Sequence, residues 1–310
     1  MENVLAPLGK LKVSFASFLV SLILVTNWAT AQSDFPQLRG KVSLELRFAK
    51  TTLLKGELIF AEVIAKNLLS EDLQIPSLHQ LVGGLRLRGT DLNSNRLKFV
   101  GVTIEAPSET ILLPAKGEAV GTVSVHTDLG NDENSRHPQK EFLLGSYKVW
   151  CVLADIESNV VTFRVVSPTG SEANVYQELL ELYTHPEDQE ARARRVIEHN
   201  PGSAYLPSFY LSLLGRAHTS AVRLRQSDQL KEISLEFISR FPHSLFVETA
   251  LAYFRDGLEI EIGVMHHRDL TADQKRYVRD ELVKLKSNLT GTRAAGYIDR
   301  MVKASLTLEQ

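Results

Sequence analysis

The sequence predicts a multidomain β plus α fold, in which a β-sheet half is followed by an α-helical half. Over residues 41–166 apolar residues alternate with polar ones, which is the period-2 pattern of half-buried strands. From Ser171 onward the apolar residues recur at intervals of three and four, as they do in amphipathic helices. Residues 167–170, which include a proline and a glycine, separate the two patterns and form a predicted hinge.

Several short strands are predicted in the β half. The clearest covers residues 42–48, where Val42, Leu44 and Leu46 face one way and Ser43 and Glu45 the other. Turn-rich clusters separate it from strands predicted over residues 57–67, 85–88, 97–104, 119–125, 142–155 and 159–166. Because no helical pattern intervenes, we predict an antiparallel sandwich and not a parallel α/β sheet.

Helical stripes account for most of the second half. Each places its apolar residues on one face, which has to be buried against a neighbour. The stripes fall within residues 175–182, 230–241, 247–258, 278–289 and 298–306.

The composition excludes several specialised classes of protein. The 310 residues include 35 basic and 37 acidic side chains, a net charge of -2, whereas a dedicated nucleic-acid binder normally carries a basic excess. The single cysteine, Cys151, excludes an intrachain disulfide framework and a cysteine-rich zinc site. Its alternation with Tyr147, Val149 and Leu153 predicts a buried structural thiol.

The first residues have the pattern of a secretory signal. Lys10 and Lys12 precede the uncharged apolar run of residues 13–25, and Ala29 and Ala31 form an Ala-x-Ala cleavage site. We therefore predict a signal peptide over residues 1–31 and an exported protein, periplasmic or extracellular after cleavage near Ala31. A retained anchor is the alternative, although the run is short of the roughly 20 apolar residues that a span needs. No later run approaches that length, so no membrane span is expected after cleavage.

One segment of the β half resembles a known family. Residues 145–149, Gly-Ser-Tyr-Lys-Val, are similar to the penultimate strand of immunoglobulin-like domains, with residues 159–166 as the final strand. The resemblance covers about 130 residues and implies an Ig-like β-sandwich over residues 32–168. It also implies that the Tyr147 hydroxyl is tied to backbone at a corner. The paired cysteines of antibody-type domains are missing.

An internal echo marks the helical half. Residues 196–205 align with residues 237–246 at an offset of 41, matching Pro201 with Pro242, Ser203 with Ser244 and Tyr205 with Phe246. In each copy a helix ends before the proline and another follows the serine. This resembles degenerate tetratricopeptide-like helical hairpins and implies a TPR-like repeat domain over residues 169–310. The family's usual period is 34 residues, from which the offset departs.

No motif in the sequence predicts catalysis, metal binding or a cofactor. His266 and His267 are adjacent and would converge poorly on one ion, so we interpret them as a polar loop. Asp91-x-Asn93-x-Asn95 begins like a calcium loop but lacks its glycine, and is predicted to be a hairpin turn. An acidic loop that contains Asp128, Asp132 and Glu133 is interpreted as solvated, with weak calcium binding as the alternative.

Two features are candidate interfaces. Trp150 shares the outward strand face of Lys148, and we predict that it lies at the contact between the halves. The apolar stretch 204–214 contains Tyr205, Phe209 and Tyr210, which fit either a core helix or an aromatic groove for a peptide or glycan.

The sequence favours an exported, non-enzymatic interaction or scaffold protein of the bacterial cell envelope. Its expected partner is an envelope protein or a peptide, bound by sandwich loops or a concave helical surface. A carbohydrate- or cell-wall-binding module is the first alternative. A hydrolase with a dispersed site is the second, because sites assemble in space and not in sequence.

Overall fold

The computed structural model describes residues 37–78, 84–99, 110–130, 142–264 and 270–307. Strands fill the first half of this part of the chain and helices the second, so the predicted β plus α composition is confirmed at that level. The last strand ends at Val166 and the first long helix begins at Ser171. The predicted signal peptide lies outside the described residues.

Twelve strands are present among the described residues, and several are only two to four residues long. They are β1 Val42–Phe48, β2 Thr52–Leu54, β3 Phe60–Asn67, β4 Leu73–Pro76, β5 Leu85–Asp91, β6 Lys98–Phe99, β7 Thr110–Leu113, β8 Glu118–Ser124, β9 Leu129–Gly130, β10 Gly145–Leu153, β11 Ile156–Glu157 and β12 Val161–Val166.

Two larger sheets organise the β half. The first is antiparallel, in the order β1-β3-β8, and its register aligns Arg47, Glu62 and Thr122 across the three strands. The second runs β11-β10-β12-β2, with β5 also paired to β10. Its β12–β2 pair is parallel, so the expected antiparallel pattern does not hold at this edge. Two further pairs, β4–β7 and β6–β9, complete the described ladders.

The inward faces of both larger sheets contribute to one apolar core. Leu46 and Val63 from the first sheet and Val149 and Phe163 from the second belong to the same buried cluster. Cys151 is fully buried in it, as its alternation predicted. The Tyr147 hydroxyl donates to the Leu143 carbonyl at 2.7 Å, which is the backbone contact that the resemblance implied.

A single helical turn, α1 Val125–Asp128, ends the strand that was predicted to reach residue 125. The Val125 N–H donates to the Ile59 carbonyl at 2.8 Å, and His126 folds back onto the same residue of the neighbouring segment. These bonds to the segment before β3 replace the next step of the ladder. The prediction of strand at Val125 is therefore wrong by one residue, for a reason that depends on a tertiary contact.

Seven longer helices follow in the described part of the second half. They are α2 Ser171–Thr184, α3 Gln189–His199, α4 Leu206–Leu224, α5 Asp228–Arg240, α6 Val247–Glu261, α7 Ala272–Ser287 and α8 Arg293–Thr307, with a 3-10 turn at Pro186–Asp188. Their apolar faces form a second buried cluster. Across the described residues, no helix combines the length and apolar character needed to span a membrane.

The aligned segments of the internal echo form the same turn twice. Asn200 and Phe241 end their helices with nearly equal angles, φ -129° and ψ 57° against φ -131° and ψ 52°. Ser203 Oγ accepts from the Tyr205 N–H at 3.2 Å, and Ser244 Oγ accepts from the Phe246 N–H at 3.1 Å. The 41-residue echo in sequence is therefore an echo in backbone geometry as well.

Candidate functional site: a cleft between the two halves

The segment from the end of β2 to the start of β3 packs against the helices. Leu58 is buried within the helical core cluster, and Leu54 and Phe60 pack against it. These residues belong to β2, to β3 and to the segment that joins them, so this stretch of the β half is the main apolar contact with the helices. Burial of such side chains is the dominant stabilising term in a contact of this kind.

The aromatic residue of each repeat contributes to this contact. The Tyr205 hydroxyl donates to the Lys55 carbonyl at 2.7 Å. The Phe246 ring packs on Phe60 with a centroid distance of 5.7 Å. Because both aromatics follow the same serine turn, the two copies present equivalent residues to the segment between Lys55 and Phe60.

One ion pair joins the two halves, and a second lies within the helical half next to the sheet. Glu62 on β3 accepts from the Arg293 guanidinium at 2.8 Å, and Glu248 on α6 accepts from Arg300 at 2.8 Å. Burial raises the pKa of the Glu248 carboxyl, and the positive charge of Arg300 opposes that rise. Thr122 of β8 lies beside the same carboxyl, so the pair also touches the sheet.

A cleft of about 370 Å³ opens where the two halves meet. From the β half it is lined by the end of β1, the segment before β3 and β3 itself, and from the helical half by the turns before α4, α6 and α8. Apolar side chains form its floor: Phe48, Leu53, Leu58, Phe60, Pro207, Leu245 and Phe246. Its charged and histidine side chains are Arg47, Lys50, Glu57, Glu62, His243 and Arg293.

The most buried charge of the cleft is Glu57, whose side chain is 8% exposed. Its carboxylate accepts from Lys50 Nζ at 2.6 Å and from the Leu54 N–H at 3.0 Å. Burial raises the pKa of this carboxyl, and both hydrogen bonds oppose the rise. Glu57 is thus satisfied on the protein side and acts as an anchor for Lys50.

His126 is enclosed next to this contact. The Ile59 N–H donates to its Nδ1 at 3.0 Å, and its ring meets the Phe60 ring edge-on at 5.4 Å. Burial lowers the pKa of the imidazole to about 4. The histidine is therefore neutral at pH 7, and it supports the aromatic side chain that packs on Phe246.

The aromatic residues of the 204–214 stretch lie in the interior. Tyr205, Phe209 and Tyr210 are each 0% exposed, so they match the core-helix interpretation and line no open groove. The Tyr210 hydroxyl donates to Glu236, which raises the pKa of Tyr210 together with burial. Tyr205 differs from the other two, because its hydroxyl reaches across to the β half.

Trp150 is half-buried on β10, opposite Arg88 of β5. Its Nε1 is buried and has no hydrogen-bond partner among the described residues. The contacts between the halves described above involve β2, β3 and β8, which are other parts of the β half. A role for Trp150 between the halves stays a prediction.

The segments weighed as metal sites fall mostly outside the described part of the chain. His266 and His267 lie there, as do Asp132 and Glu133 of the acidic loop. Within the described ranges, no group of three or more His, Cys, Asp or Glu side chains could hold a metal ion. The Asp91 turn is a hairpin turn as predicted, since the Asp91 carboxylate accepts from the N–H groups of Asn93 and Asn95 at 2.9 and 2.8 Å.

Sequence reasoning missed the residues of the cleft. The alternation of β1 and β3 places Arg47 and Glu62 on the outward face, but no local pattern says that helices cover that face. The repeat alignment came nearest, because it contains Pro242 and Ser244, which flank His243 in the turn that lines the cleft.

No protein-family model matches this chain, and no curated protein matches it. Among solved structures, an alkylpurine DNA glycosylase of Pseudomonas fluorescens bound to DNA containing an abasic site analog has a TM-score of 0.25 and 11% identity, over 41% of this chain and 31% of its own. A β-glucosidase of Listeria innocua in complex with isofagomine has a TM-score of 0.26 and 17% identity, over 40% and 16%. Part of an α-2-macroglobulin of Escherichia coli has a TM-score of 0.24 and 9% identity, over 86% and 55%.

The chain spans less than a third of the length of the first two of these proteins. With TM-scores of this size, the likenesses carry no argument about fold or function.

Proposed function

We propose that this chain is an exported, non-enzymatic interaction protein of the bacterial cell envelope whose binding surface is the cleft between its two halves. The observation that carries the proposal is the cleft itself, an open cavity with an apolar floor and a few charged side chains. Small ligands and peptide side chains bind in cavities of this size and composition. The non-enzymatic reading is supported by the pairing of both cleft carboxylates with cations, which occupies them structurally.

We also propose what each half of the fold is. An Ig-like sandwich over residues 32–168 is supported by the Tyr147–Leu143 hydrogen bond and by the shared core of the two larger sheets. Degenerate TPR-like hairpins over residues 169–310 are supported by the repeated serine turn. Ligand pockets occur preferentially at the interface between two domains, which is where this cleft would lie.

Site-specific photocrosslinking tests the proposal in living cells. A photoreactive phenylalanine analogue replaces His243, which is exposed at the edge of the cleft, in the full-length chain. The matched control carries the same analogue at Lys148, an exposed strand position outside the cleft. We expect a discrete crosslinked protein from position 243 and none of the same mass from position 148.

The alternatives give different results. Equal crosslinking from both positions, or none from position 243, would contradict a cleft-directed protein partner. Retention of the purified chain on peptidoglycan, abolished by a bulky substitution such as Ala204→Trp in the cleft, would support the carbohydrate-binding module. Export itself is checked by cell fractionation and by the N-terminal residue of the mature protein, expected to be Gln32.

A further inference from the structure

Cations and carboxylates of the cleft differ in their exposure to solvent. The side chains of Arg47 and Lys50 are 51% and 49% exposed, whereas those of Glu57 and Glu62 are 8% and 19% exposed. Arg293 lies between these values at 24%. Among the charges that line the cleft, the cations are therefore the more exposed, and the carboxylates lie behind them. The Glu45 carboxylate, which pairs with Arg47, is 39% exposed but is not part of the lining.

The cations at the rim retain donors for a ligand. Arg47 donates to Glu45 through Nε and Nη2, so its Nη1 remains available to donate to a ligand. Lys50 uses one of its three ammonium donors on Glu57. A second carboxylate can join each of these pairs without displacing the first, in a charge-assisted hydrogen bond.

The floor behind this rim is apolar. Leu53, Leu58 and Phe246 are buried. Phe48 and Leu245 are half-buried, so a ligand side chain could cover the exposed part of these two. A volume of about 370 Å³ accommodates one large apolar side chain with part of its backbone. The geometry requires an anionic group and an apolar group close together on one ligand.

We infer that the cleft binds an acidic peptide segment of a partner protein, with an apolar side chain on its floor and a carboxylate at the Arg47–Lys50 rim. This inference rests on the proposed function and specifies its ligand. A basic segment meets the exposed cations before it reaches the paired carboxylates. Repulsion between the cations of such a segment and those of the rim lowers its affinity for the cleft, so basic partners are disfavoured.

Calorimetric titration of the mature chain tests the inference with two defined probes. One is the blocked tetrapeptide Asp-Leu-Phe-Asp, and the other is Lys-Leu-Phe-Lys, which keeps the apolar pair and reverses the charge. We expect the acidic peptide to bind about tenfold more tightly at low salt, with a preference that shrinks as salt rises above about 0.1 M.

Charge-reversed variants locate the binding. Arg47→Glu is expected to weaken the acidic peptide about tenfold, while Lys148→Glu, the same change outside the cleft, leaves its affinity unaltered. If Arg47→Glu fails to fold, as judged by circular dichroism, Arg47→Ala replaces it, with an expected loss of about threefold. Equal affinities for the two peptides, or equal losses from the cleft variant and the control, would overturn the inference.

The result is separable from that of the proposed function. A position-243 crosslink with no acidic preference would leave the interaction function standing and overturn the ligand class. Acidic preference without any crosslink in cells would overturn the proposed partner, while the chemistry of the cleft is retained.

Discussion

His126 shows how one buried side chain couples the β half to the helices. Its neutral imidazole accepts from Ile59 and supports Phe60, which packs on Phe246. Protonation would place an N–H at Nδ1, so the bond from the Ile59 N–H is lost, and the Ile59 carbonyl oxygen, 3.1 Å from Nδ1, is left as its backbone acceptor. The charge would also be enclosed, because burial lowers the pKa of this imidazole and only the hydrogen bond to the Ile59 backbone, with no carboxylate of the described residues, opposes that shift.

The pH dependence of stability follows from this enclosure. The pKa of His126 is lowered from 6.5 to about 4, so the unfolded chain binds the proton more readily than the folded one. The contribution of His126 is complete above pH 6.5 and is lost as the pH falls from 6.5 to 4. We expect the wild type to lose about 2 kcal/mol between pH 7 and pH 5 relative to His126→Gln.

Urea unfolding at the two pH values measures this difference. His199→Gln, which changes an exposed histidine of α3, is the matched control and should follow the wild type. A wild type and a His126→Gln variant with the same pH dependence would show that His126 is accessible to protons in the folded state. The comparison between variants cancels the contributions of buried carboxyls such as Glu57 and Glu248.

Cys151 gives a second prediction at this scale. Burial raises the pKa of its thiol to about 11, so little thiolate forms at pH 8. A disulfide reagent such as dithionitrobenzoate should leave the native chain unmodified for hours and react fully in guanidinium. Rapid release of one equivalent of thiolate from the native chain would contradict the assigned position of Cys151 in the core.

These two residues differ in what the sequence reveals. Cys151 alternates with apolar neighbours on one strand, so its burial follows from a period of two. His126 is buried because the segment around Ile59, 67 residues earlier in the chain, packs against it. The residues next to His126 in the sequence do not indicate this contact. Only the assembled fold brings the two together.

At the scale of elements, the serine turn is the clearest agreement between sequence and structure. Proline, serine and aromatic positions recur at the offset of 41 residues, and the same hydrogen bonds recur with them. The turn could be predicted because its chemistry is local. The parallel pairing of β12 with β2 could not, because short strands carry no signal of their distant partner.

Glycines in two elements respond oppositely to the same substitution. A Cβ on Gly89 of β5 would lie 2.7 Å from Leu97 Cδ1 and 2.9 Å from the Lys148 carbonyl, so Gly89→Ala forces the ladder apart. We expect a loss of about 1–3 kcal/mol. A Cβ on Gly215 of α4 meets nothing within 4 Å, and Gly215→Ala should gain up to about 1 kcal/mol through helix propensity.

Thermal and urea unfolding of the two variants measure both signs in one experiment. A neutral Gly89→Ala would contradict the close approach of β5 and β10 at this position. A destabilised Gly215→Ala would show that the surface of α4 is covered.

At the scale of the whole molecule, the docking of the halves depends on few directed contacts. Tyr205 and Tyr210 are both buried tyrosines of α4 and its preceding turn, but only the Tyr205 hydroxyl bonds to the β half. Tyr205→Phe should therefore loosen the interface, whereas Tyr210→Phe acts within the helices. Loss of a hydrogen bond worth about 1 kcal/mol raises the equilibrium constant for local opening about fivefold.

Hydrogen exchange measured by mass spectrometry separates these effects. Tyr205→Phe is expected to raise exchange about fivefold over residues 55–62, and Tyr210→Phe to raise it in α5, where Glu236 lies. Unchanged exchange over residues 55–62 in Tyr205→Phe would contradict the assigned role of this hydroxyl.

The two-part organisation was predictable from the change of period near residue 170, whereas the cleft was not. Its lining comes from segments far apart in the chain, among them Lys50, His243 and Arg293, and their meeting depends on how the helices dock on the sheet. Docking uses the outward face of β3, which carries Phe60 and Glu62. A strand pattern shows that this face exists but not what covers it.

The most direct test of the central claim combines the ligand with the partner. Cells or envelope extracts containing the position-243 photocrosslinking variant are irradiated with and without an excess of the blocked Asp-Leu-Phe-Asp peptide. If the cleft is the binding surface, the acidic peptide suppresses the crosslinked product and the Lys-Leu-Phe-Lys peptide does not. A crosslink that persists unchanged under saturating acidic peptide would show that the partner binds elsewhere, and would contradict the account.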